Sequence, residues 1–149
     1  ITLMENEKKY NIGFTGGAFD LFHIGHLNLL KKCKEYCNYL IVGVMTDEFI
    51  EHQKGRKPFV PLEERMEIIK AVRYVDEVVP VDYHNTVKPD AWTLYHFDVC
   101  FSGDDHAKEA GFLWEQQKLR ELGSEMIFFP YTKQTCSTQI KKLIEQRLM

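Results

Sequence analysis

The run Tyr39-Leu40-Ile41-Val42-Gly43-Val44-Met45 constrains the fold more than any other stretch of this chain. It is almost continuously apolar and rich in β-branched residues. Such a run reads as a parallel strand covered on both faces, because a sheet with one wet face would alternate apolar and polar residues. A strand of that kind needs helices on either side of it. The rest of the chain supplies them in alternation.

Asn11 to Thr15 reads as a short strand ending in Gly16-Gly17. From about Gly25 to Cys37 the pattern is helical, with Leu27, Leu30, Cys33 and Cys37 on one face and Lys31, Lys32 and Lys34 outside. Asp47 to Gln53 forms a short helix, and Gln53 to Phe59 a basic loop. Pro61 opens the next helix at its first position. Glu63 and Glu64 in its first turn, and Lys70 and Arg73 near its end, suit the helix dipole. Leu62, Met66, Ile69 and Val72 make its apolar stripe. Glu77 to Val81, Val99 to Ser102 and Met126 to Phe129 are further strands, and Phe112 to Leu122 is a helix stopped by Gly123. The last helix starts near Ser137 as its N-cap and is expected to bury Ile140, Leu143, Ile144 and Leu148. The expected fold is α/β: a Rossmann-like doubly wound sheet of about five parallel strands with helices on both faces. No repeat or linker divides it, so residues 1–149 are expected to form a single domain. Residues 1–10 would be a flexible or vector-derived start, with Met4 the natural first residue.

Composition narrows the function classes. A net charge of -3 gives no general attraction to nucleic acid. No apolar run approaches the ~20 residues that span a bilayer. Glu5, Asn6, Glu7, Lys8 and Lys9 are too polar for a signal peptide. Cys33, Cys37, Cys100 and Cys136 contain no C-x-x-C pair, so a zinc knuckle is not expected, and a reducing cytoplasm is the natural setting.

The chemistry is concentrated in Gly16-Gly17-Ala18-Phe19-Asp20-Leu21-Phe22-His23-Ile24-Gly25-His26. Glycines after a first strand let backbone N–H groups approach a phosphate. The helix that follows turns its positive end and unpaired N–H groups toward an anion. His23 and His26 straddle that helix start, and Gly25 between them leaves room for a polyphosphate. Two imidazole donors aimed at one phosphorus would stabilise its charge during attack. A metal site is the rival reading of the two histidines, but no third ligand is near and there is no H-E-x-x-H. In parallel α/β sheets, ligands bind beyond the carboxyl ends of the strands. Gly16-Gly17, Gly103 and the residues before Ser137 all fall at such ends.

These residues resemble the H-x-G-H signature of the cytidylyltransferase-like nucleotidyltransferases. Tyr39 to Phe49 and Arg73 to Val79 are similar to the glycerol-3-phosphate cytidylyltransferases and to their choline- and ethanolamine-phosphate relatives. Gly103-Asp104-Asp105 is similar to the G-D-D that follows the fourth strand there. The resemblance implies that His23 and His26 bind the triphosphate and stabilise the transition state. It implies that Lys54, with Arg56 or Lys57, reaches the phosphates, and that Arg65 holds that region and touches phosphate. Further nucleotide contacts are implied from Thr15, Gly16, Gly17, Ala18, Phe19, Asp20 and Gly25, from Gly103, Asp104 and Asp105 near base and acceptor, and from Tyr131, Thr132, Cys136, Ser137 and Thr138 at the start of the last helix. Mg²⁺ would be carried by the nucleotide. A homodimer is implied as well, with Arg73-Tyr74-Val75-Asp76 as its dimer segment.

Two positions depart from the family pattern. Where those cytidylyltransferases carry R-T-E-G-I-S-T-S, this chain has Tyr131-Thr132-Lys133-Gln134-Thr135-Cys136-Ser137-Thr138. Cys136-Ser137-Thr138 is similar instead to the heptose-type sugar-phosphate adenylyltransferases. His106 stands where the glycerol-phosphate enzymes usually have tryptophan. The expected activity is transfer of CMP from CTP to a phosphorylated alcohol, glycerol 3-phosphate first, then choline or ethanolamine phosphate. ATP with a sugar phosphate is the alternative. A regulatory module that binds nucleotide without turnover is the non-enzyme alternative, and a mere sensor has no need of His23, His26, Lys54, Ser137 and Thr138 together.

Overall fold

The computed structural model describes residues 9–82, 88–103, 110–129 and 137–148. Five strands, β1 (Tyr10–Gly17), β2 (Cys37–Met45), β3 (Glu77–Val81), β4 (Val99–Gly103) and β5 (Glu125–Phe129), form one sheet in the order β3-β2-β1-β4-β5. Every pairing is parallel. The helices are α1 (Ile24–Tyr36), α2 (Asp47–Lys54), α3 (Leu62–Lys70), α4 (Lys88–Tyr95), α5 (Ala110–Glu121) and α6 (Ser137–Leu148). The order of strands reverses between β1 and β4, which opens a crevice at their carboxyl ends.

The apolar run of β2 divides as a doubly covered strand should. Leu40, Val42 and Val44 join one cluster with Leu30 and Cys33 of α1, Ile69 of α3, and Phe101 and Phe129. Ile41 faces the other cluster, with Phe49 of α2, Ala91 of α4, Leu119 of α5, and Phe14, Phe97 and Met126. Each fully buried aliphatic or aromatic side chain contributes about 1.5–3 kcal/mol. Helix α1 and strand β2 are contiguous, so Cys37 belongs to the strand rather than to the helix end expected from sequence. Cys33, Cys37 and Cys100 are buried free thiols. Burial pushes the Cys100 thiol up to about 11 and the Cys33 thiol well above its ordinary value, so both stay protonated.

Two aspartates pin the amino ends of strands. Asp76 accepts from Leu40 N (2.8 Å) and pairs with Lys34, while its own N–H donates to Leu40 O. Asp98 accepts from Ile12 N (2.9 Å), and its N–H donates to Ile12 O (2.8 Å). Each carboxylate thus extends a parallel ladder by one bond before the strand begins, which fixes register.

Several boundaries differ from the sequence expectation. β1 begins at Tyr10, before the expected Asn11. Helix α2 continues to Lys54, where Gly55 caps it with φ +77°, so the basic segment is shorter than expected. Pro61 occupies the N-cap of α3, and the helix ends at Lys70. Helix α4 was not expected at all. Leu143, expected in the core, is 52% exposed, and the side chain of Leu148 lies outside the described residues. Among the described residues no helix is long and apolar enough to cross a membrane.

Gly43 shows how tightly the sheet is covered. A Cβ there would meet Val81 Cγ2 at 2.5 Å and Phe14 Cζ at 2.9 Å. Gly43→Ala is therefore expected to cost ~1–3 kcal/mol by overpacking. Chemical denaturation that gives wild-type stability would mean that the two side chains move aside freely.

Candidate active site

The loop from Ala18 to His23 carries the chain from β1 into α1, and it is strained. Phe19 and Leu21 both have φ of 53°, a left-handed conformation that non-glycine residues avoid. Burial holds Phe19 there, since its side chain is 4% exposed within the core beside α1. The consequence is local. Phe19 meets the His26 ring edge-on at 5.4 Å, and Phe22 stacks on it at 5.4 Å.

His23 and His26 form a reciprocal cap at the start of α1. His23 is the N-cap, and its Nδ1 accepts from Gly25 N at 3.0 Å. His26 Nδ1 accepts in turn from His23 N at 3.3 Å. This is a capping box built from imidazoles. The rings stack with centroids 3.9 Å apart. Because each Nδ1 is an acceptor, each ring must carry its proton on Nε2. Both histidines are therefore set as neutral Nε2–H donors, and capping alone selects the tautomer. Burial among Phe19 and Phe22 is the main reason the His26 pKa is lowered to about 4, and His23 adds to it. Burial lowers His23 as well.

Arg65 is 1% exposed, and it is the brace beneath this loop. Its Nη1 donates to Ala18 O and Met45 O, each at 2.7 Å, and its Nε donates to Val60 O at 2.7 Å. Nη2 pairs with Asp47 at 2.5 Å. These carbonyls lie at the carboxyl ends of β1 and β2 and before α3. The region is held as expected, but the contact with phosphate is not: a fully covered guanidinium cannot reach one.

Asp20, expected at the nucleotide, is likewise buried at 2%. Its oxygens accept from Phe59 N (2.9 Å) and Val60 N (3.0 Å), and Lys141 of α6 lies 3.4 Å away. It tethers the end of the basic segment. Thr15 also turns inward, at 1% exposure, and its hydroxyl donates to Phe101 O across the β1–β4 pair. Its side chain is a strand tie rather than a nucleotide contact. Gly16 and Gly17 end β1 opposite Gly43 and Val44. A Cβ at Gly16 would come no nearer than 3.8 Å to any atom, with Lys88 Nζ at 4.0 Å, so that end of the strand is roomy.

Lys54 ends α2. Its ammonium is lowered by partial desolvation first, then by Lys141 and Arg56, so these cations share one neighbourhood. Lys57 is exposed in the basic segment. Arg56, expected at the phosphates, pairs instead with Glu145 of α6 at 2.5 Å. Gly103 closes β4 beside Phe129. Ser137 and Thr138 open α6 as its first residues; their side chains lie outside the described residues, as do Asp104, Asp105, His106, Tyr131, Thr132 and Cys136. Sequence reasoning missed Lys141 and Lys88. Lys141 stands one turn into the last helix, on the same face as Ser137 and Ile144, and that spacing is the signal that was available.

A parallel sheet in the order β3-β2-β1-β4-β5, with helices on both faces and a crevice at its reversal point, defines the class: a Rossmann-like α/β domain. The family model described as cytidylyltransferase-like matches residues 14–142. The chain belongs to that family and is a nucleotidyltransferase. It is 33% identical to a FAD synthase of Thermococcus sibiricus over 143 residues, covering 96% of this chain and 95% of that one. It is 37% identical to the glycerol-3-phosphate cytidylyltransferase of Bacillus subtilis over 130 residues, covering 87% of this chain and 94% of the relative. FAD synthases were not brought forward by the sequence motifs. Among solved structures, a lipopolysaccharide core biosynthesis protein of Thermoplasma volcanium shares the fold, with a TM-score of 0.68 at 23% identity over 85% of this chain and 99% of that one.

The capped pair gives a pH prediction. A histidine whose pKa is lowered on folding binds its proton more readily when unfolded. Its contribution to stability is complete above pH 6.5 and is lost as pH falls from 6.5 through 4. NMR titration of the ligand-free protein should place the His26 midpoint near 4, with both rings as Nε2–H tautomers at neutral pH. A His26 midpoint at or above 6.5 would mean that the ring is solvated and the cap absent.

Proposed function

We propose that the chain transfers CMP from CTP to a phosphorylated alcohol, with glycerol 3-phosphate as the first acceptor. An oxygen of the acceptor's phosphate attacks the α-phosphorus in line. A new P–O–P bridge forms, the bond to the β-phosphate oxygen breaks, and pyrophosphate leaves with that electron pair. No covalent enzyme intermediate is required, so catalysis is positioning plus charge stabilisation. The observation that carries the reading is the pair of neutral Nε2–H donors fixed at the amino end of α1. The base and acceptor are supported by the 37% identity to a glycerol-3-phosphate cytidylyltransferase along 94% of its length.

Mg²⁺ carried by the nucleotide would supply counter-charge for the pyrophosphate as it leaves. Lys54 and Lys57 would meet the β- and γ-phosphates, and the amino end of α6 would receive them. Arg73 and Asp76 are both exposed and Tyr74 is half-buried, so a dimer through Arg73–Asp76 would meet an accessible segment, with the Asp76 carboxylate already bonded to Leu40 N and Lys34. Buried, reduced thiols suit a cytoplasmic setting.

A second reading has an observation in its favour. FAD is AMP joined through a pyrophosphate to riboflavin 5′-phosphate, itself a phosphorylated alcohol, and the similarity to a FAD synthase spans 95% of that protein. The same site would then use ATP and a flavin phosphate. One panel separates the readings: CTP and ATP, each crossed with glycerol, choline, ethanolamine, sugar and riboflavin phosphates, with pyrophosphate release as the readout. CTP with glycerol 3-phosphate is expected to give the highest kcat/KM; a clear preference for ATP would overturn the first reading.

Histidine variants test the mechanism on the same assay. Asparagine is a good N-cap, so His23→Asn should keep most of the stability while kcat falls at least ~100-fold, the scale of losing one transition-state donor. His26→Ala should lose kcat on that scale, and also ~1 kcal/mol of stability with its half of the cap. Near-normal turnover in either variant would remove the histidines from the chemistry.

A further inference from the structure

Helix α6 meets the loop before α1 and the basic segment through two ion pairs of very different character. Lys141 Nζ lies 3.4 Å from Asp20 Oδ2, with side chains only 12% and 2% exposed. The same ammonium sits 5.9 Å from the centre of the Phe59 ring. One turn further on, Glu145 pairs with Arg56, with side chains 50% and 55% exposed. The outer pair is open to water and salt, and such pairs hold little. The inner one is different. Asp20 already takes the backbone N–H groups of Phe59 and Val60, and a carboxylate so deeply covered needs a cation beside it. One buried carboxylate, from the loop between β1 and α1, thus fastens the end of the basic segment on one side and α6 on the other.

The geometry points to Lys141 as the positioning residue that joins α6 to the basic segment across Asp20, and that thereby sets the affinity for the nucleotide's triphosphate. This rests on the reading that the triphosphate lies between the amino ends of α1 and α6. A ligand there must meet cations from the basic segment and N–H groups from α6, two elements remote in sequence. If Lys141 fastens them beforehand, the ligand meets an ordered cradle. Without it, binding must order the two elements, and affinity falls. The charge of Lys141 also acts on His26 and Lys54, which places it within electrostatic reach of the anion site.

The test uses the full chain, with Lys141→Met, Lys141→Arg and Glu145→Gln measured beside the wild type. With the best nucleotide and acceptor of the panel, Lys141→Met should raise the nucleotide KM roughly tenfold and leave kcat within about threefold, the mark of lost pre-ordering. Lys141→Arg should restore most of the affinity. Glu145→Gln should stay within about twofold of wild type, as an exposed pair predicts. The ligand-free His26 titration supplies an independent readout. His23, Asp20 and Lys141 act on that ring, and removing the last should move its midpoint upward. An unchanged KM in Lys141→Met, a loss confined to kcat, or no recovery in Lys141→Arg overturns the inference. If the wild type releases no pyrophosphate with any pair, nucleotidyl transfer itself fails. Equilibrium binding of CTP and of ATP then decides: a roughly tenfold weaker Kd in Lys141→Met, recovered in Lys141→Arg, supports the inference, and an unchanged Kd overturns it.

Discussion

Everything at the carboxyl edge of the sheet depends on the guanidinium of Arg65. Where two parallel strands end, their last carbonyls have no ladder to enter, and a buried carbonyl without a donor is costly. Arg65 collects Ala18 O, Met45 O and Val60 O in one planar fork and closes it on Asp47. No other side chain offers that many fixed donors. Removing one partner from such a buried set typically costs ~3–5 kcal/mol, far more than its net contribution, because the other polar groups stay behind unsatisfied. The brace makes the ends of β1 and β2 a rigid floor. The left-handed residues Phe19 and Leu21 can be strained above it without the loop relaxing into another shape.

On that floor, one feature serves folding and chemistry together. A helix start must find acceptors for its unpaired N–H groups, and serine, threonine or aspartate usually provides them. Here two imidazoles do so. The choice has a chemical result that an oxygen cap lacks. Accepting at Nδ1 dictates a proton at Nε2, so the helix's own demand for caps prepares two neutral donors. Phe19 and Phe22 then keep His26 desolvated, which holds it neutral and leaves its Nδ1 unprotonated to accept the cap bond.

The sheet was legible because strand signals do not depend on partners: the apolar run of β2 and the alternation around it can be read in one dimension. The turn out of β1 and the imidazole-capped helix start were legible because Gly16-Gly17 and His23-Ile24-Gly25-His26 combine scarce residue types at fixed offsets. What failed to show has one cause. Arg65 and Asp20 are charged residues placed by sequence near phosphate, yet both are buried, and their role is set by backbone groups from distant segments that sequence spacing does not reveal. Lys141 was missed for the same reason, since its partner Asp20 is 121 positions away. Helix α4 escaped because Pro89 early in it and the exposed Leu94 blur its stripe; packing of Ala91 and Trp92 onto the second core makes the helix, not propensity.

The passage from α1 directly into β2 has a mechanical meaning. The helix that presents the two imidazoles ends at Tyr36, and the central strand begins at Cys37. Nothing between them can act as a hinge. The capped end of α1 is also tied through the Phe19 loop to β1, so the helix is gripped at both ends by adjacent strands of one sheet. It behaves as a spar riveted to the sheet, and the donors at its tip inherit the stiffness of the core. Whatever meets those donors meets them at a position set by the sheet itself.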